Sequence, residues 1–175
     1  RQMCIRDSPV TQRAPRKAVI MARGLGTRMR KAAVGVSLTA EQASAAQAGV
    51  KAMISLDGRP FLDYVISSLA DAGFDQFCLV IGPEHDLIRN YYDSCEKSRV
   101  EITYAIQEQP LGTADAVAAA EDFAGDDRVL VVNSDNFYPE DAVARLREVP
   151  ASATLGFTKR AMIDPVSYTH LTLPT

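Results

Sequence analysis

Three cations, Arg28, Arg30 and Lys31, follow directly on Gly24-Leu25-Gly26-Thr27, and that stretch follows the apolar run Ala18-Val19-Ile20-Met21. Glycines let a main chain come close to an anion and expose its N–H groups, while the cations add charge and further donors. A loop so built at the end of a strand is suited to hold a polyphosphate. The spacing excludes two common phosphate loops. A dinucleotide fingerprint would need a third glycine where Met29 stands, and a P-loop would need Gly-Lys-Ser/Thr after its four-residue spacer.

The elements that must position such a loop read as strands alternating with helices. Ala18–Met21, Phe77–Ile81, Ile102–Ile106, Val129–Val132 and Thr154–Thr158 read as strands. Phe61, Leu62, Val65, Ile66 and Leu69 keep the spacing of an amphipathic helix, with Pro60 at its start and Gly73 where a C-terminal cap belongs. Further helices are expected from Pro83 to Tyr92, Thr113 to Glu121 and Pro139 to Glu148, and an alanine-rich surface helix from Leu38 to Ala48. The alternation predicts an α/β fold with a mostly parallel sheet covered on both faces, in which ligands bind outside the carboxyl ends of the strands. The glycine loop, Gln107 and Asp135 each follow a strand, so all three fall on that one edge.

At 175 residues, 47% hydrophobic and 23% charged, the chain is sized for one domain of ordinary globular composition. Its three cysteines, Cys4, Cys78 and Cys95, have no metal-ligand spacing, which suggests a reducing compartment and, with no apolar run of membrane-spanning length, a cytoplasmic protein. Residues 1 to 31 hold nine of the nineteen Lys and Arg against the single acid Asp7, so the remainder is strongly acidic. Without interleaved aromatics, and with an acidic remainder, that basic stretch points away from nucleic acid and towards a small anionic ligand. Neither a nucleic acid nor a membrane is expected as a partner.

The run Ile20 to Met29 resembles the signature loop of the sugar-1-phosphate nucleotidyltransferases, which join a nucleoside triphosphate to a sugar 1-phosphate. Three further stretches match the same family in order. Lys51 with the turn Asp57-Gly58-Arg59-Pro60 resembles its second lysine region. Gln107 with Pro110-Leu111-Gly112-Thr113-Ala114 resembles its base-binding segment, and Val131 to Asn136 resembles the strand end that carries its metal-binding aspartate. Each match is weak alone; all four in register, between residues 18 and 159, identify the N-terminal part of that family.

The resemblance implies a three-layer, Rossmann-like nucleotide-binding fold, C-terminally truncated, over residues 16–165. The expected products are a nucleoside-diphosphate sugar and pyrophosphate. It implies Arg28 and Lys51 as catalytic residues on the phosphates. Ala22, Gly24, Gly26, Thr27, Gln107, Gly112 and Thr113 become nucleotide contacts, and Asp135 a ligand for Mg²⁺. The attacking sugar phosphate is already ionised at neutral pH, so the chemistry needs charge neutralisation and alignment rather than a general base. That suits a chain whose two histidines are His85, in an expected helix, and His170.

Residue by residue, plainer roles stay open. The glycines could serve only a turn, Lys51 could be a surface charge, Gln107 could end a strand, and Asp135 could form a turn or cap. Glu108 and Asp115 read as surface residues. Arg23 stands where the family has a small residue, which puts bulk beside the expected nucleotide, and Val50 and Ser134 are further departures. Residues 1–15 and 166–175 follow no family pattern and read as non-native tails. The family's second metal aspartate and most of its sugar pocket would fall beyond residue 175, so the chain is expected to be an inactive N-terminal fragment. A regulatory relative that binds nucleotide sugar, or a cytidylyl- or guanylyltransferase acting on a non-sugar phosphate, remain alternatives, and a homo-oligomer stays open.

Overall fold

A computed structural model describes residues 14–24 and 51–156. Four parallel strands form the main sheet: β1 (Lys17–Met21), β4 (Gln76–Ile81), β5 (Glu101–Ile106) and β6 (Val129–Asn133), in the order β5-β4-β1-β6. Between β1 and β4 lies a small antiparallel hairpin of β2 (Ser55–Leu56) and β3 (Arg59–Pro60). The helices are α1 (Phe61–Asp71), α2 (Asp86–Ser94), α3 (Thr113–Ala118), α4 (Glu121–Ala124) and α5 (Glu140–Glu148).

Strand alternation divides the core between two faces. Ala18, Ile20, Phe77, Leu79, Ile81, Leu130 and Val132 pack with Leu62, Val65 and Leu69 of α1, Ile88 of α2 and Val143 of α5. Val19, Cys78 and Val80 point the other way, onto Ala116, Ala120 and Phe123. Helices thus cover both faces and make three layers, as the near-continuous apolar runs of the strands require. Burial holds the Cys78 thiol above its ordinary pKa, and both described cysteines, Cys78 and Cys95, are free.

Several expected elements differ in detail. The turn at Asp57-Gly58 closes a paired hairpin, because both residues take positive φ (49° and 79°), the backbone that matches strand twist in a two-residue loop. The helix expected from Pro83 starts at Asp86, since Gly82 to His85 first close a turn in which the His85 N–H donates to the Gly82 carbonyl (3.1 Å). The Thr113–Glu121 helix splits at Ala119–Ala120, where the Ala120 N–H bonds Val117 instead of continuing the α-helical ladder. Residues 154–156 form no strand; the rest of the expected Thr154–Thr158 strand lies outside the described residues, as does the Leu38–Ala48 helix. Gly73 ends α1 as read: with φ 95°, its N–H bonds Ala70 and the next N–H, of Phe74, bonds Leu69, a Schellman closure. Among the described residues, no helix is long and apolar enough to cross a membrane.

Candidate nucleotide site at the carboxyl edge of the sheet

Register brings the strand ends level. Met21 pairs with Val80 and with Asn133, and Ile81 pairs with Ile106. Three ladder bonds then run one residue past the strands: Ala22 N–H to the Val80 carbonyl (2.8 Å), Gln107 N–H to Ile81 (2.9 Å) and Ser134 N–H to Met21 (3.2 Å). The first residue of each site loop is therefore fixed by the sheet itself. Between these loops opens a cleft of about 320 Å³, bordered by Ala22, Arg23 and Gly24, by Lys51, by Gln107, Gly112 and Thr113, and by Asn133, Ser134 and Asp135.

Six sequence-expected site residues thus share one cleft with Asp135: Ala22, Gly24, Lys51, Gln107, Gly112 and Thr113. Gly26, Thr27 and Arg28 lie outside the described residues, as do Arg30 and Lys31.

One end of the cleft is tightly built. Gln107 is 4% exposed, and its Nε2 donates to the Gly112 carbonyl (3.1 Å) and to Asp115 Oδ2 (2.7 Å). Gly112 sits at φ 108°, ψ −174°, a backbone that essentially only glycine adopts, and from there leads into α3. Arg23 does not project freely: its side chain is 8% exposed. One terminal nitrogen, Nη2, donates to the Glu108 carbonyl (3.1 Å) and lies 3.6 Å from Glu84 Oε1. The guanidinium thereby joins the loops after β1, β4 and β5, while its buried Nε and Nη1 have no hydrogen-bond partner among the described residues. Glu84 is held below the ordinary carboxylate pKa by its own backbone N–H and by Arg23. Beside it, burial lowers the pKa of His85, whose Nδ1 accepts from the Gly82 N–H (3.2 Å).

The other end is looser. Lys51 opens a short 3₁₀ turn to Met53, anchored by buried Ala52 and Met53, and its Nζ lies 3.9 Å from Asp135 Oδ2. Their side chains are 31% and 50% exposed. Asp135 caps no helix: α5 begins after Pro139, with no side-chain cap. Its turn is held instead by the Tyr138 hydroxyl, which accepts from the Asn133 N–H (3.0 Å) and from Asn136 Nδ2 (3.3 Å).

Sequence reasoning missed Asp115 and Tyr138. Asp115 was legible as an acid in the first turn of α3, two residues past the Gly112-Thr113 pair. Tyr138 had no signal beyond its place three residues after Asp135.

A mostly parallel sheet with a composite cleft at its carboxyl edge defines an α/β protein of Rossmann-like architecture. The chain belongs to the nucleotidyl transferase family, whose sequence profile matches residues 17–167. It is 33% identical over 139 residues to the UTP–glucose-1-phosphate uridylyltransferase AglF of Haloferax volcanii, covering 78% of this chain and 51% of that protein. It is 30% identical over 125 residues to a D-glycero-alpha-D-manno-heptose 1-phosphate guanylyltransferase of Aneurinibacillus thermoaerophilus, covering 71% of this chain and 48% of the relative. A UTP-bound UDP-glucose pyrophosphorylase structure from Acinetobacter baumannii superposes with a TM-score of 0.60 at 25% identity, covering 75% of this chain and 50% of that one. The chain spans about half the length of these relatives.

Proposed function

We propose that this chain supplies the nucleotide-binding part of a nucleotidyltransferase that joins a nucleoside triphosphate to a sugar 1-phosphate. The domain doing so would run over residues 16–165, in the cytoplasm. The observation that carries this reading is the cleft, where Lys51, Gln107, Gly112 and Asp135 meet the start of the glycine loop. In the reaction a sugar-phosphate oxygen attacks the α-phosphorus, the α–β phosphoanhydride bond breaks, and pyrophosphate leaves. Each of these partners is an anion, so the rate depends on neutralised charge and alignment.

The family resemblance implies the residue roles. The backbone of Ala22 and Gly24, continuing through Gly26 and Thr27, would face the triphosphate. Arg28 and Lys51 would carry the phosphate charge, and Gln107 with Gly112-Thr113 would meet the base. Magnesium fits Asp135, a half-exposed carboxylate on the cleft with no described partner but Lys51, because this ion commonly takes one or two carboxylates and completes its shell with water and substrate phosphate. Bound there, it would supply further positive charge for the triphosphate.

Calorimetric titration of the 175-residue chain with the common nucleoside triphosphates, with and without Mg²⁺, tests the proposal. The expected result is a preference for one triphosphate, strengthened at least about tenfold by Mg²⁺. Equal or absent binding of all of them, with the chain folded, would sink it.

A further inference from the structure

Gln107 has a side-chain amide of two faces, one donating and one accepting, and the structure shows which is committed. Both neighbours of Nε2 are pure acceptors: the Gly112 carbonyl at 3.1 Å and the Asp115 carboxylate at 2.7 Å. The reversed amide would set its oxygen against two oxygens, so the orientation is fixed by chemistry. Both N–H bonds are used within the protein. Among the described residues Oε1 has no partner, and it belongs to a buried residue that borders the cleft.

From this we infer that Asp115 is a positioning residue for base recognition: by holding the Gln107 amide nitrogen, it turns Oε1 to the ligand and makes the site require an N–H donor on the base edge. The inference rests on the nucleotide reading above and deepens it. Charge assistance matters here, because a neutral acceptor holds an amide less firmly than a carboxylate does. Asp115 reaches Gln107 because Gly112 turns the chain sharply into α3. The amide is then locked at both ends, by the β5–β4 ladder through its own backbone N–H and by α3 through its side chain.

The test has two arms, both on the intact chain. In the first, side-chain amide resonances are recorded without ligand for the wild type, Asp115→Ala and Asp115→Asn. The Gln107 NH₂ signals should move clearly in Asp115→Ala and return most of the way in Asp115→Asn, which keeps a carbonyl acceptor. Unmoved signals in Asp115→Ala would overturn the inference. In the second arm, UTP is compared with N3-methyl-UTP, and GTP with N1-methyl-GTP, by titration. Wild type should favour the unmethylated form of its preferred base by about tenfold or more, the scale of losing one well-made hydrogen bond. Asp115→Ala should shrink that ratio towards unity while leaving inorganic triphosphate binding unchanged, and Asp115→Asn should restore much of it. A ratio unchanged in Asp115→Ala, or an equal loss of inorganic triphosphate, would also overturn the inference. If no triphosphate binds at all, the nucleotide reading fails, and the resonance arm still decides whether Asp115 orients Gln107.

Discussion

The two ends of the cleft are built to different standards. Around Gln107 the amide is held by two directed hydrogen bonds, 3.1 Å to the Gly112 carbonyl and 2.7 Å to Asp115, and Arg23 ties neighbouring loops together. Around Asp135 the principal contact is a 3.9 Å ion pair to Lys51 between half-exposed side chains, of the kind that contributes about 0–1 kcal/mol. The difference teaches where rigidity is needed. A base is planar and is read by direction, so its partners must be set before it arrives. A phosphate or cation is met by charge, which falls off slowly with distance and tolerates movement.

The sharpest way to break this contrast is at the loose end. Asp135→Asn should remove the Mg²⁺ enhancement of triphosphate binding, a loss of about 10–100-fold. The melting temperature should stay almost unchanged, because the Lys51 pair contributes little to stability. A large drop in melting temperature with Mg²⁺ dependence intact would show that Asp135 is a structural turn residue. Thermal scans with paired titrations read both quantities.

At the built end the ordering should invert. Gly112→Ala meets none of the described residues with its new methyl but forces alanine to φ 108°, so it should cost about 1–3 kcal/mol of folding stability. Denaturant melts would measure it. No loss would mean that the turn into α3 relaxes freely and that Gln107 is not rigidly held.

The smallest effect concerns His85. Its folded pKa lies below the ordinary 6.5 because it is buried, and its Nδ1 must stay unprotonated to accept from Gly82. The unfolded chain therefore binds this proton more readily. The stability due to His85 is full above about pH 6.5 and is lost as pH falls through the folded value, by no more than about 1.4 kcal/mol per pH unit for one proton. His85→Gln should flatten that part of the melting-temperature profile, and an unchanged slope would assign it to other groups.

Much of this was legible because its causes are local. Apolar runs such as Phe77–Ile81 and the spacing of Leu62, Val65 and Leu69 dictate element type, and alternation dictates a parallel sheet. Gly73 announced its own cap. The composite cleft could be read from three loops following three strands, since carboxyl ends in a parallel sheet share an edge. What stayed hidden depends on side chains meeting across loops. Asp115 reads as a surface acid until α3 turns it onto Gln107, and the Glu108 carbonyl, as a main-chain group, has no sequence signal. Arg23 reads as an obstruction in the cleft, yet its length lets it lie back across two neighbouring loops. Tyr138 acts through its hydroxyl on a backbone N–H, a contact set by the path from β6 to α5.

The central position of β1 has a consequence for the order in which this molecule comes into being. Lys17 pairs with Gln76 on one side and with Val129 on the other, so β1, which precedes both partners in the chain, has these two edges open until they appear. Such long-range closures slow folding and leave unpaired strand edges exposed meanwhile. Ser134, in the last of the described loops on the cleft, hangs on the Met21 carbonyl, so the cleft can take this form only once β6 has been synthesised and has found β1.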